Sequence, residues 1–152
     1  MFKAWTLLGR VLYFFTQIGI RIVVRGSTRT RVLIVCNDQF LALKHWLGDG
    51  SWTLPGGGLH RDEEAVSGAQ REVLEELGVT LQQTDLKHVG SFDASDNGFS
   101  FSCEMFQVYL LSKPKLHLQT IEILDARWFS VADLPALKST PQLQRAVAIW
   151  QE

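Results

Sequence analysis

The stretch Arg71-Glu72-Val73-Leu74-Glu75-Glu76 places three carboxylates within five residues. On a helix turning 100° per residue, Glu72, Glu75 and Glu76 fall within an arc of roughly 100°. That arc lies beside the apolar stripe of Val66, Ala69, Val73 and Leu77 rather than on it. Carboxylates this close repel one another, and the repulsion grows near a packed surface of low dielectric. A divalent cation removes it. A set of oxygen ligands alone suits a hard ion, Mg²⁺ or Mn²⁺, better than zinc.

Just upstream stand Gly56, Gly57 and Gly58. Without Cβ atoms, the backbone there can turn sharply and approach a ligand closely. Backbone N–H groups exposed by such a loop can meet phosphate oxygens. A glycine loop followed by a carboxylate-lined helix therefore suits a metal-bound pyrophosphate. Alone, Glu75-Glu76 is what a solvated helix face carries, and Pro55-Gly56-Gly57 is an ordinary turn. Their combination is the informative feature.

The flanking elements follow from periodicity. Arg31–Cys36 reads as a strand, Asn37-Asp38 as a turn and Phe40–Lys44 as the partner strand. Trp52–Leu54 is a short extended piece leading into the glycines. Glu63–Leu77 reads as the helix, with Gly78 at its left-handed C-cap. Leu86–Phe92 and Phe99–Leu111 form a hairpin around Asp93–Gly98, with Asn97-Gly98 as the turn signal. Its second strand is apolar on both faces near Phe106–Leu111, as a central strand covered twice would be. Asp125–Ser130 is a further strand, and Val131–Leu137 a short turn or helix. Thr140 can cap a last helix that starts at Pro141 and buries Leu143, Ala146, Val147 and Trp150. The order predicts an α/β fold, a mixed sheet with helices on its faces.

Read together, these residues resemble the Nudix hydrolase signature, G-x5-E-x7-R-E-U-x-E-E-x-G-U, with U a bulky aliphatic residue. Gly57 is followed after five residues by Glu63 and after seven more by Arg71-Glu72; Val73, Leu74, Glu75-Glu76, Leu77, Gly78 and Val79 complete the pattern. Trp52–Gly58 resembles the family's lead-in, as Ala126–Phe129 and Leu134-Pro135 resemble its C-terminal part. The resemblance covers about residues 30–150. One position departs: Asp62 stands where many members carry Gly before the first motif Glu.

The resemblance implies a Nudix-type α/β/α sandwich over residues 29–152. It also implies metal-assisted hydrolysis of a pyrophosphate bond in a nucleoside diphosphate linked to another moiety X. Glu72, Glu75 and Glu76 map to the metal ligands, with Glu75 and Glu76 at the heart of catalysis. Glu63 and Arg71 map to a pair that supports the loop–helix geometry. Glu63 projects roughly 180° from Glu72 if the helix includes it, so it cannot share the ligand face. Gly57 shapes the loop, with Gly56 and Gly58 beside it in a substrate-binding role. Glu122, six residues before Trp128, resembles an extra metal ligand or base of some members; Glu104 is a weaker candidate for the base. Trp46, Phe92 and Phe99 are available for base stacking, and His45, His60 and His88 for phosphate contact. A rival reading is a non-catalytic Nudix module that senses a nucleotide or docks a partner. Such proteins usually lose motif glutamates, and this chain keeps all of them.

Residues 1–28 form a separate basic segment. Six of the 15 basic residues precede Asp38, leaving nine against 16 acidic ones in residues 32–152, a balance of -7. An acidic body argues against nucleic acid as a partner. Trp5, Leu8, Leu12 and Phe15 recur at helical spacing, so an amphipathic helix is expected over about residues 2–18. Arg10, Gln17 and Arg21 interrupt its apolar run, which is too short for a bilayer span of roughly 20 residues. It could lie on an acidic membrane surface, pack on the domain, or pack against a second subunit as a homodimer helix. Cys36 and Cys103 lie in apolar, strand-like runs without zinc spacing, as buried thiols of a reducing, cytoplasmic compartment do.

Overall fold

A computed structural model of the chain describes residues 28–96 and 99–152, apart from the side chains of Asp96 and Phe99. The expected helix over residues 2–18 lies outside the described residues. Among the described residues, five strands and two α-helices are arranged as β1 (Thr28–Cys36), β2 (Gln39–His45), α1 (Ala65–Leu77), β3 (Lys87–Asp96), β4 (Phe99–Tyr109), β5 (Ile123–Ser130) and α2 (Pro141–Gln151). The sheet order is β3-β4-β1-β2-β5. β1 and β4 run parallel and the other neighbours antiparallel, so the sheet is mixed as predicted.

Alternation along the strands sorts the apolar side chains onto two faces. Val32, Ile34, Leu41, Leu43, Phe106 and Val108 meet Ala69, Val73 and Leu77 of α1. Leu33, Val35, Phe40, Ala42 and Met105 meet Leu143, Ala146 and Val147 of α2, together with Trp52 and Leu54. The result is an α/β/α sandwich. Each large core side chain contributes about 1.5–3 kcal/mol relative to exposure. Cys36 and Cys103 are buried free thiols. Among the described residues, no helix is long and apolar enough to cross a membrane.

Local chemistry sets the boundaries. Asn37 and Asp38 both take positive φ, 48° and 59°, as a two-residue hairpin turn between right-twisted strands requires. Gly78, at φ 66°, closes α1 by donating its N–H to the Leu74 carbonyl at 2.9 Å. Thr140 caps α2 by accepting the Leu143 N–H at 3.4 Å, and Pro141 fills the first turn. Several boundaries differ from expectation: β1 begins three residues before Arg31 and β5 two residues before Asp125. The β3–β4 hairpin stays paired to Asp96↔Phe99, so β3 runs four residues beyond Phe92. β4 ends at Tyr109, opposite Val35 near the end of β1, and Leu111 lies fully exposed beyond it. α1 starts at Ala65, which leaves Glu63 in the preceding turn. Trp150 is half-buried rather than part of the core.

Candidate functional site

β1 and β2 pair only at Val35↔Phe40 and Cys36↔Gln39, next to their turn, and then diverge. The gap receives the glycine loop. Thr30 N–H donates to the Gly57 carbonyl and Val32 N–H to the Pro55 carbonyl, both at 2.9 Å, while Leu59 N–H donates to the Thr28 carbonyl at 3.0 Å. The loop thus occupies the place of a missing strand beside the first half of β1. This close approach requires glycine. At Gly56, φ is 130° and a Cβ would lie 2.2 Å from the Thr30 carbonyl oxygen. At Gly57, a Cβ would lie 2.6 Å from the Glu72 carboxyl carbon. The Glu72 carboxylate therefore rests in the space that the absent side chain leaves.

The loop and the carboxylate face of α1 meet in one cleft of about 330 Å³. Gly56, Gly57, Gly58, Glu72, Glu76 and Glu122 line it, as do Arg29, Arg31 and His45. Glu76 is 3% exposed and accepts the Gly56 N–H on Oε2 at 2.9 Å. His45 Nε2 lies 3.8 Å from its other oxygen. Burial pushes the Glu76 carboxyl up to about 8; the neighbouring Glu72 and Glu122 charges add to this, and the Gly56 N–H and Arg31 oppose it. A buried carboxylate beside two others is a local excess of negative charge that a cation relieves.

Arg71 organises the other acids. Its Nε donates to Glu63 Oε1 at 2.8 Å and its Nη2 to Glu63 Oε2 at 2.9 Å, a bidentate pair. Nη1 reaches Glu72 Oε1 at 2.8 Å and Glu75 Oε2 at 3.2 Å, and Nη2 also reaches the Gly58 carbonyl at 3.1 Å. Glu63 accepts the His60 N–H at 2.8 Å as well. These bonds, the Arg71 pair foremost, hold the Glu63 carboxyl down at about 2. Glu63 and Arg71 thus join the turn before α1 to the carboxylate face. Glu75 is more open, with half of its side chain exposed. Among the described residues, no three carboxylate, imidazole or thiol groups converge into a closed metal cage.

The remaining sequence candidates separate. Glu122 lines the cleft. Glu104 does not: it accepts from Ser91 Oγ at 2.6 Å and lies 2.7 Å from His88 Nε2 on the β3–β4 hairpin, which accounts for both the acid and that histidine. His60 is exposed outside the cleft. Phe92 packs against the α2-side core under the Arg145 guanidinium. Trp46 is largely exposed, with its indole N–H donating to the Thr120 carbonyl at 3.0 Å. The Phe99 side chain lies outside the described residues. Sequence reasoning gave no site role to Arg29 and Arg31. Their signal was period two: they share a strand face with the buried Leu33 and Val35, an unusual place for guanidinium groups.

A mixed sheet between helices, with a glycine loop docked beside a glutamate-bearing helix, defines the class of protein. The model of the NUDIX domain matches residues 16–150. The chain belongs to the Nudix family. It is 30% identical over 107 residues to Nudix hydrolase 8 of Arabidopsis thaliana, covering 67% of this chain and 28% of that protein. The chain spans less than half the length of the curated relatives it matches. Among solved structures, a MutT Nudix hydrolase from Burkholderia pseudomallei superposes with a TM-score of 0.70 at 23% identity, covering 84% of this chain and 98% of that one. The Nudix domain of Shewanella oneidensis NrtR, solved with ADP-ribose, superposes with a TM-score of 0.72 at 13% identity, covering 83% and 86%.

Proposed function

We propose that this chain is a divalent-metal-dependent hydrolase that cleaves a pyrophosphate bond in a nucleoside diphosphate linked to a further group. One observation carries the reading: the Glu72 carboxylate seated against Gly57 in the same cleft as the buried Glu76. The donor set fits Mg²⁺ or Mn²⁺, being made of carboxylate oxygens with surplus negative charge. Glu72, Glu75 and Glu76 are the residues that would hold the metal. The ion would polarise the phosphoryl group and lower the pKa of the attacking water.

The chain's own residues divide the remaining work. The glycine loop leaves the diphosphate room to lie against backbone. Arg71, held by Glu63, fixes Glu72 and keeps Glu75 within reach of the same site. Glu122, which lines the cleft and stands outside the motif, would accept a proton from water. A nucleotide-like substrate accords with the ADP-ribose complex of NrtR and with the superposition on an Ap4A hydrolase of C. elegans.

The test is a metal-supplemented screen of nucleoside triphosphates, nucleotide sugars, dinucleoside polyphosphates and dinucleotides. Turnover is expected only with Mg²⁺ or Mn²⁺. Glu75→Gln and Glu76→Gln should each abolish it while circular dichroism shows an intact fold. Full turnover in both variants would sink the reading.

A further inference from the structure

Arg31 is 6% exposed, yet it makes no ion pair among the described residues. Its Nη1 donates to the Gly56 carbonyl at 2.5 Å and to its neighbour's, Thr30, at 3.0 Å. Its Nε is buried with no hydrogen-bond partner. A guanidinium withdrawn from water and satisfied only by two neutral carbonyls is costly. No anion contacts it directly; the nearest acid acting on it is Glu76, across the Gly56 peptide. Arg29, two residues earlier on the same strand face, lines the same cleft, and its guanidinium carbon lies 5.1 Å from the Phe101 ring centroid.

The position of Gly56 relates this pair to the glutamates. Its N–H points to Glu76 and its carbonyl to Arg31. One peptide unit therefore separates the acidic part of the cleft from the basic part. We propose that Arg29 and Arg31 form a second anion subsite. It holds the phosphate of the substrate that lies farther from Glu72 and Glu76. The substrate class is then a molecule with at least two contiguous phosphates, spanning the cleft past Gly56. This rests on the phosphoanhydride reading above and adds the residues that orient the chain of phosphates. Guanidinium suits the task because its planar fork matches two phosphate oxygens at once.

The test uses the full chain in excess EDTA, with inorganic pyrophosphate as the probe in isothermal titration calorimetry. Wild type should bind. Arg29→Gln and Arg31→Lys should each weaken binding at least about tenfold, the scale of one lost charge-assisted hydrogen bond. Arg127→Gln, a surface change on β5, should leave affinity unchanged. Should Arg31→Lys fail to fold, Arg29→Gln decides alone. No metal is present, so a chain that hydrolyses no phosphoanhydride could still show this binding, and the two readings fail separately. Absence of pyrophosphate binding in wild type, or equal affinity in wild type and Arg29→Gln, overturns the subsite.

Discussion

Gly57→Ala tests whether the glycine loop and the carboxylate face act as one unit. Gly57 does not need a positive φ, so alanine strains no backbone there. The added methyl would instead stand 2.6 Å from the Glu72 carboxyl carbon and 2.6 and 2.7 Å from its two oxygens. Ordinary contact begins near 3.4 Å, so the carboxyl must retreat by roughly 0.8 Å to reach it, and by about 0.9–1.4 Å to reach the optimal spacing of 3.5–4.0 Å. Glu72 is a flexible side chain, but its Oε1 is held by Arg71 at 2.8 Å, and that bond must stretch or break as the group moves. Removing a backbone degree of freedom from the unfolded chain offsets part of the loss, by about 0.4–1 kcal/mol. Net stability should therefore change by less than about 1 kcal/mol. Activity should fall much further, since a misplacement near 1 Å in a catalytic constellation costs on the order of 10²-fold. The assay pairs a thermal melt with kcat on the substrate found by the screen and with Mn²⁺ affinity by calorimetry. A variant that melts within a few degrees of wild type but loses about two orders of magnitude in kcat supports the argument. A variant with wild-type kcat and Mn²⁺ affinity refutes it, because the Glu72 carboxylate would then not need to sit where it does.

Two stability predictions accompany this. Glu63→Gln removes the charge from the bidentate pair with Arg71 and should destabilise by about 2 kcal/mol, or roughly 4–8 °C in Tm. The Glu63 carboxyl sits at about 2 in the fold against an ordinary 4.5. A depressed carboxylate stabilises fully above the unfolded value and loses that contribution as pH falls through the folded one. The gap between wild type and Glu63→Gln should thus shrink between pH 4.5 and 2; a gap that stays constant on acidification in chemical denaturation refutes the pairing. Asp62 holds φ at 60°, where a residue with a Cβ is strained. Asp62→Gly should raise stability by about 0.5 kcal/mol, the relief of strain exceeding the added unfolded-chain entropy. The exposed Arg61–Asp62 pair that it removes should contribute little. A lowered Tm counts against the strain argument.

Legibility in the sequence follows the range of the forces involved. Elements whose cause is local were readable. The 3.6-residue stripe of α1, the Gly78 cap, the Thr140–Pro141 start of α2 and the Asn37-Asp38 turn all lie where side-chain spacing puts them. Boundaries set by a distant partner were not. β4 ends where β1 ends, so Leu111 looked like core by hydropathy yet lies in solvent. The start of α1 was misplaced because Glu63 is recruited by Arg71 into the preceding turn, a contact spanning eight residues.

The site divides along the same line. The glutamates and glycines are close in sequence because a loop and the helix it enters carry them, and motif spacing captures that. Arg31 is separated from Gly56 by 25 residues and meets it only because β1 and β2 splay apart. Within the sequence, Arg29 and Arg31 joined a general basic excess at the N-terminal end, and net charge carries no information about burial. The sharper signal was the face they share with Leu33 and Val35. A charged residue in register with a buried apolar face must either bend out to water or find a partner inside. Arg31 stays inside, and its buried partners, the Gly56 and Thr30 carbonyls, are neutral. The physical chemistry that makes a cleft cation costly to keep also makes it informative, because a guanidinium in direct contact only with neutral carbonyls, its Nε still without a hydrogen-bond partner, keeps donor capacity for an anionic ligand.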